Sequence, residues 1–172
     1  YGFSRFKIGG GSAVLIGLLA VRMLPGVVLI IPYFRMAQAL GIFNTYLALV
    51  LAHTSIALPT TIWMLKSYFD SIPRDLEEAA MVDGATRLGA LTRVVLPLVA
   101  PGLVATGVMS FLASWNELLL SVVLSSGPSK APLTVGIASF FGQFGRDWGH
   151  VMALNTMGVL PLLIAFIFLQ RY

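Results

Sequence analysis

Leucine, valine, isoleucine and alanine are not scattered along this chain as a soluble core would require; they gather into four long blocks separated by polar stretches. The first runs from about Ser12 to Pro32, the second from Tyr46 to Leu65, the third begins near Val94, and the fourth runs from Val151 to Leu169. The hydrocarbon core of a bilayer is about 30 Å thick and needs roughly 20 helical residues to cross it, so each block is long enough to span. A segment in lipid must satisfy its own backbone hydrogen bonds, and these blocks lack the polar/apolar alternation of a barrel strand, so helices are predicted. From Val94 to Leu124 the third block would stretch about 46 Å at about 1.5 Å per residue, too long for a span without tilt or a break. Its spanning part is expected to end near Trp115.

Composition agrees with the pattern. Of 172 residues, 58% are apolar and 10% charged, against about half and a quarter in an ordinary soluble domain. The chain has no cysteine, hence no disulfide framework and no thiolate metal site, and its two histidines lie far apart. The net charge of +4 is unevenly spread. In a four-span arrangement Arg5, Lys7, Lys66, Arg74, Arg87, Arg93 and Arg171 fall on one side and Arg35, Lys130 and Arg146 on the other. Basic residues collect on the cytoplasmic side, so the loop that contains Glu78 is expected there. No basic patch interleaved with aromatics occurs, and a nucleic-acid partner is not expected.

That loop is unlike the other connections. After Ile72-Pro73, residues Arg74 to Leu91 are good helix formers, with Asp75, Glu77 and Glu78 near the start, where acidic side chains complement the positive pole of a helix. Leu76, Ala79, Ala80 and Leu91 supply a small-residue apolar side. Gly84 inside such a helix would cost about 1 kcal/mol relative to alanine, which a bend or a close partner would have to offset. The residues alone allow a solvated amphipathic connector or a docking element. Leu96-Pro97 is expected to open the third span, since proline is tolerated in a first helical turn.

The spacing is specific. Glu78-Ala79-Ala80 is followed after three residues by Gly84, and after nine more by Val94-Val95-Leu96-Pro97. In this the chain resembles the permease subunit of bacterial binding-protein-dependent ATP-driven (ABC) importers, whose signature is Glu-Ala-Ala, three residues, Gly, nine residues, Ile-x-Leu-Pro. The one departure is Val94 in place of the isoleucine. The resemblance implies an all-α membrane protein, the type I ABC importer transmembrane domain, with a cytoplasmic coupling helix that seats in an ATPase subunit. It implies coupling roles for Glu77, Glu78, Ala79, Ala80, Asp83, Gly84, Leu96 and Pro97. The implied partners are a second homologous permease subunit, two cytoplasmic ATPase subunits, an extracytoplasmic sugar-binding protein and the lipid bilayer. Members of the family usually have six spans, so residues 1–172 are expected to form one domain holding the last four. Tyr1-Gly2-Phe3-Ser4-Arg5-Phe6-Lys7 would match the cytoplasmic end of the second span, and two spans and the extreme C-terminus would lie outside.

Gly41 to Tyr46, Ser71 to Ala80, and Ser114-Trp115-Asn116-Glu117 resemble the carbohydrate branch of that family, the maltose and trehalose type. Asp147-Trp148-Gly149, Leu160-Pro161 and Gln170-Arg171-Tyr172 are similar to its second permease. Importers of glycerol phosphate or polyols share much of this similarity.

Polar residues inside the spans mark faces turned away from lipid. Thr106, Ser110, Ser114, Glu117 and Ser121 recur at intervals of four, four, three and four, which stacks them on one side of a helix. They read either as contacts between helices or, with Asn116, as the border of a substrate path. Arg22 would lie about 15 Å into the first span, facing the interior with Glu117 as its candidate partner, as a helix-orienting pair or a substrate contact. Arg22, Ser110, Ser114, Asn116 and Glu117 are thus the candidate pathway residues. Pro25, Pro32 and Pro59 can kink their helices. His53, Thr54 and Ser55 cannot all share one face, and His53 is expected to be packed and hydrogen-bonded.

No catalytic set assembles. Ser126-Gly127-Pro128-Ser129-Lys130 lacks the glycines and following helix of a phosphate-binding loop, and no nucleophile elbow or cofactor motif is present. No enzymatic activity and no cofactor are expected, and ATP would be hydrolysed on partner subunits. An ion-coupled secondary transporter would fit the composition and leave the docking helix unexplained.

Overall fold

The computed structural model describes residues 1–142, 145–146 and 148–169. Short helices α1 (Gly2–Arg5) and α2 (Gly11–Arg22) are followed by α3 (Gly26–Ala39) and the long α4 (Tyr46–Asp70). Then come α5 (Arg74–Val82), α6 (Arg87–Ala90), a π turn (Leu91–Val95) and α7 (Leu96–Trp115). The chain continues through α8 (Leu119–Leu124), a 3-10 turn (Pro128–Lys130) and α9 (Leu133–Ser139). A two-residue antiparallel pairing of β1 (Phe141–Gly142) with β2 (Gly145–Arg146) precedes α10 (Trp148–Leu169).

Among the described residues, three continuous helical stretches are long and apolar enough to cross a membrane: Tyr46–Asp70, Arg87–Trp115 and Trp148–Phe168. Only 17%, 22% and 11% of their apolar windows are buried within the chain. Val50, Met109, Ile164 and Phe168 on these helices are exposed, a surface suited to lipid or to neighbouring helices and unsuited to water. α7 ends at Trp115, where the length argument put it.

The first block is different. It is not one helix from Ser12 to Pro32: α2 stops at Arg22, residues 23–25 are non-helical, and α3 starts at Gly26. Twelve residues reach about 18 Å and fourteen about 21 Å, so neither helix crosses alone, and the two together form a broken span or a re-entrant loop. Pro25 causes the break. It has no N–H to give, and it disfavours helical geometry at Leu24 before it. Pro32 and Pro59, by contrast, sit inside continuous helices.

Contacts divide the chain into two units. One comprises residues 1–21 and 58–110, built on a buried core of Phe69, Ile72, Val95 and Val99 with Tyr1, Leu65, Leu91 and Leu96 against it. Within it the Trp63 indole N–H donates to the Leu15 carbonyl at 3.0 Å, tying α2 to α4. Gly102 on α7 sits directly under the Tyr68 ring. The other unit comprises residues 22–57 and 111–171, with Ala37, Ala48, Leu49, Ala52, Leu120 and Leu124 as its core. The alanines let α3, α4 and α8 approach closely. Asn44, in the left-handed region at φ 57, knits this unit's loops together. Its N–H donates to Leu124 O, its side-chain oxygen accepts from the Ser126 N–H at 2.9 Å, and its carbonyl accepts from Lys130 Nζ at 3.0 Å.

Candidate functional site

α5 begins after Pro73, with Asp75 and Glu77 in its first turn, and is nine residues long. The expected helix from Arg74 to Leu91 is therefore shorter than the residue types suggested, and the reason is Gly84. Asp83 caps α5, Gly84 takes φ 88, the Ala85 N–H donates to Ala80 O at 3.0 Å, and the Gly84 N–H donates to Met81 O at 3.1 Å. This pair of bonds is the Schellman arrangement, in which a left-handed residue just past the helix end satisfies otherwise orphaned carbonyls. Gly84 thus incurs no helix-interior cost; it ends the helix in a conformation other side chains rarely adopt. Thr86 then caps α6, its hydroxyl accepting the Gly89 N–H at 3.1 Å. The π turn that follows bonds the Leu96 N–H to Leu91 O, five residues back. Pro97 explains the widening: it cannot donate to Arg93, and its ring crowds that carbonyl. The motif from Glu78 to Pro97 is therefore a helix, a glycine stop, a threonine-capped return and a proline-widened entry into α7.

The two sides of α5 differ. Glu77 is buried, its carboxylate bonded to Arg5 Nε and to the Tyr1 hydroxyl at 2.9 Å. Partial burial, and then the Glu77 carboxylate, raise the Tyr1 phenol above its ordinary range, so it remains a donor. Glu78, Ala79 and Asp83 are exposed, while Ala80 is half-buried. Two apolar side chains beside them are bare: Val82 is 86% exposed and Leu88 69%. A polar cleft of about 220 Å³ lies next to this surface, with Arg74, Glu78, Met81 and Arg87 in its wall. Leu96 is half-buried and Pro97 exposed, at the base of α7.

The polar face predicted on the third span is divided between the two units. In the first, Ser110 shares a hydrogen bond with Thr61 at 2.8 Å, and Thr106 is buried. In the second, His53 on α4 gathers the remaining members. Its Nδ1 lies 2.5 Å from Ser114 Oγ, and its Nε2 lies 3.3 Å from Ser121 Oγ and 3.6 Å from Glu117 Oε2. Glu117 occupies the break after α7, where its two carboxylate oxygens accept the N–H groups of Leu120 and Ser121 at 3.0 and 3.1 Å. A carboxylate there satisfies the free donors that open α8 and complements its dipole. The hydroxyl of Thr134 on α9 donates to Glu117 O at 3.0 Å. Asn116 is exposed and donates to Leu112 O.

Arg22 does not join this cluster. The break at residue 23 makes it the last residue of α2, exposed, with no hydrogen bond or ion pair among the described residues. A cation there suits the negative pole of a helix. The expected Arg22–Glu117 pair is replaced by His53–Glu117. His53, Thr54 and Ser55 do diverge: His53 bonds toward α7 and α8, Thr54 is exposed, and Ser55 shares a hydrogen bond with Tyr33 on α3. Sequence reasoning missed His53 as the hub and Arg5 as the partner of Glu77. A histidine in an apolar helix was a signal for the first; nothing local signalled the second.

Replacing Glu117 with alanine removes both caps of α8 and the carboxylate nearest His53 Nε2. The expected loss is about 2 kcal/mol, read as a lowered unfolding temperature of the detergent-purified protein. Glu117→Gln, which keeps an acceptor, should lose less than half as much.

Among known proteins, residues 11–172 match the family described as binding-protein-dependent transport system inner membrane component. The chain belongs to that family. It is 39% identical over 171 residues to the sulfoquinovosyl glycerol transport system permease protein SmoH of Agrobacterium fabrum, covering 99% of this chain and 60% of the relative. It is 38% identical to the trehalose/maltose transport system permease protein MalG of Thermococcus litoralis, covering 100% of this chain and 62% of the relative. The chain thus spans about three fifths of the length of these curated relatives. Its fold matches a chain from the crystal structure of a bacterial ABC transporter involved in the import of the acidic polysaccharide alginate. The TM-score is 0.73 at 23% identity, covering 100% of this chain and 65% of that one. The all-α transmembrane fold expected from the motif is that of this inner membrane family; Asp147 and residues 170–172, which carried part of the resemblance, lie outside the described residues.

Proposed function

We propose that this chain forms part of the membrane pathway of an ATP-driven sugar importer, with α5 as the element that couples it to a cytoplasmic ATPase subunit. The observation that carries the reading is the asymmetry of α5: one side is fixed by Glu77, and the other presents Glu78, Ala79, Val82 and Asp83 outward. An exposed apolar side chain such as Val82 on a loop between spans invites a protein partner. The excess of Lys and Arg around this loop supports a cytoplasmic orientation. A second permease subunit, two ATPase subunits and an extracytoplasmic binding protein complete the assembly.

Nucleotide binding closes the ATPases, α5 is carried with them, and the membrane helices change from inward-facing to outward-facing to receive delivered sugar. The work comes from differential affinity of nucleotide and binding protein for those two states. The polar cluster of Ser114, Glu117 and Ser121 around His53 is the candidate border of the sugar path. The sugar names of SmoH and MalG support that substrate class.

The test is uptake of a labelled panel of sugars, polyols and glycerol phosphate by the complete importer in vesicles. ATP-dependent uptake of a sugar through its binding protein is expected. Uptake under an ion gradient without ATP identifies a secondary transporter and overturns the reading, and exclusive uptake of a polyol or glycerol phosphate overturns the sugar assignment.

A further inference from the structure

Glu77 immediately precedes the Glu-Ala-Ala motif and leaves α5 about 100° round from Glu78, buried where Glu78 is exposed. Its side chain is 10% exposed and that of its partner Arg5 is 7% exposed. One carboxylate oxygen takes Arg5 Nε and the other takes the Tyr1 hydroxyl at 2.9 Å. Arg5 is occupied on its other nitrogens as well: Nη2 donates to Ile72 O at 3.0 Å and Nη1 to Ser4 Oγ at 3.3 Å. A reciprocal bond runs the other way, from Arg74 Nη2 to Ser4 O at 3.0 Å. The Arg87 guanidinium on α6 lies 5.7 Å from the Phe6 ring centroid. Tyr1 meets Phe69, near the end of α4, edge to face at 5.7 Å. Residues 1–6 therefore grip α5, α6 and the end of α4 at once.

A buried ion pair is a poor way to gain stability, because desolvating two charges offsets most of their attraction, and an apolar pair of similar size often holds as well. Its distinct property is direction. Charge-assisted bonds to a planar guanidinium fix orientation and register as apolar packing does not. On the other side of α5, Pro73 and Gly84 bound a nine-residue helix. A short helix between a proline and a glycine turn, held only by apolar contacts, would tilt when pulled and dissipate the motion locally.

We infer that the Arg5–Glu77 pair is the bolt of the coupling element: it locks α5 to residues 1–6 and to the end of α4, so that force applied at the exposed side of α5 moves them as one body. Glu77 is a positioning residue; Glu78 is the residue placed to touch a partner. The inference rests on the importer reading and specifies which of two adjacent carboxylates acts inside the subunit.

The test uses the complete importer, with its ATPases and binding protein, in proteoliposomes. The Arg5→Met/Glu77→Leu pair keeps buried volume and removes the directed bonds. ATPase co-purification is expected to stay within about twofold of wild type while sugar taken up per ATP hydrolysed falls about fivefold or more, as for other residues in coupling networks. A merely structural role would lower assembled complex and leave that ratio unchanged. Glu77→Gln is read on the same ratio if the double variant fails to assemble, and Glu77→Asp, which keeps the charge, should recover at least half of the coupling. A native uptake ratio in the bond-free variants overturns the inference. Loss of ATPase binding in Glu77→Gln also overturns it, since Glu77 would then be a contact. Glu78→Lys in the same assay separates the two levels: native ATPase binding together with native uptake removes α5 from the coupling route, and the reading on which this inference rests fails there and not at Glu77.

Discussion

An importer carrying Glu78→Lys is expected to reach the membrane in normal amounts, to lose its ATPase subunits on purification, and to transport no sugar. Glu78 is exposed, next to Ala79 and one turn before Val82, in the wall of the cleft that it shares with Arg74 and Arg87. Reversing a charge at a protein contact costs several kcal/mol when the groups it faces are desolvated, enough to reduce co-purification at least tenfold. Folding should be untouched, since Glu78 makes no hydrogen bond or ion pair among the described residues, and exposed substitutions away from such features move stability little. Co-purification is measured by tagging the permease and quantifying the ATPase that elutes with it. Native recovery of ATPase together with native uptake would remove α5 from the coupling route.

The second large effect is steric and concerns the spans themselves. A Cβ placed on Gly102 would stand 2.3 Å from Tyr68 Cγ, 2.5 Å from Cδ1 and 2.7 Å from Cδ2. These are atoms of the ring near its root, so a small rotation at the tip of a flexible chain cannot relieve the overlap. Gly102→Val therefore forces α7 away from the ring of Tyr68, and overpacking of this kind costs about 3 kcal/mol. The expected result is a marked fall in yield and unfolding temperature of detergent-purified protein. Restoring space by pairing Tyr68→Ala with Gly102→Ala should recover most of what Gly102→Ala alone loses, because the two positions share one contact and are not additive. Additive losses would show that the close approach at Gly102 is not what sets the distance between these helices.

How much of this was legible beforehand varies from residue to residue. The lengths of the second, third and fourth apolar blocks gave α4, α7 and α10, including the end of α7 at Trp115, because a spanning helix must match the bilayer and its residues announce that directly. The break at residues 23–25 was harder. Met23 and Leu24 are as apolar as their neighbours, so hydropathy runs on through the point where Pro25 withholds its N–H. Once α2 ends at Arg22, that arginine no longer lies within a continuous span, and its expected pairing with Glu117 has no basis. Of the periodic polar residues expected on one face of the third span, Thr106, Ser110 and Ser114 lie on α7, whereas Glu117 falls in the break after it and Ser121 on α8. Their spacing could not show that the face is split between Thr61 and His53.

By itself, the sequence determined the membrane class, the approximate span lengths and the Glu-Ala-Ala-to-Pro motif, since apolar run length, backbone hydrogen bonding in lipid and turn chemistry are local properties. Tertiary structure alone decided the partners. Arg5 and Glu77 are 72 residues apart, and His53 lies on α4 whereas Glu117 lies in the break between α7 and α8. No local rule relates such positions; only the packing of α1 against α5, and of α4 against the segment around α8, brings these side chains together. For the same reason Glu77 and Glu78, adjacent and chemically identical, have different surroundings, one buried and bonded and the other exposed. Successive helical residues point about 100° apart, and which of the two turns inward depends on where Arg5 and Tyr1 already stand.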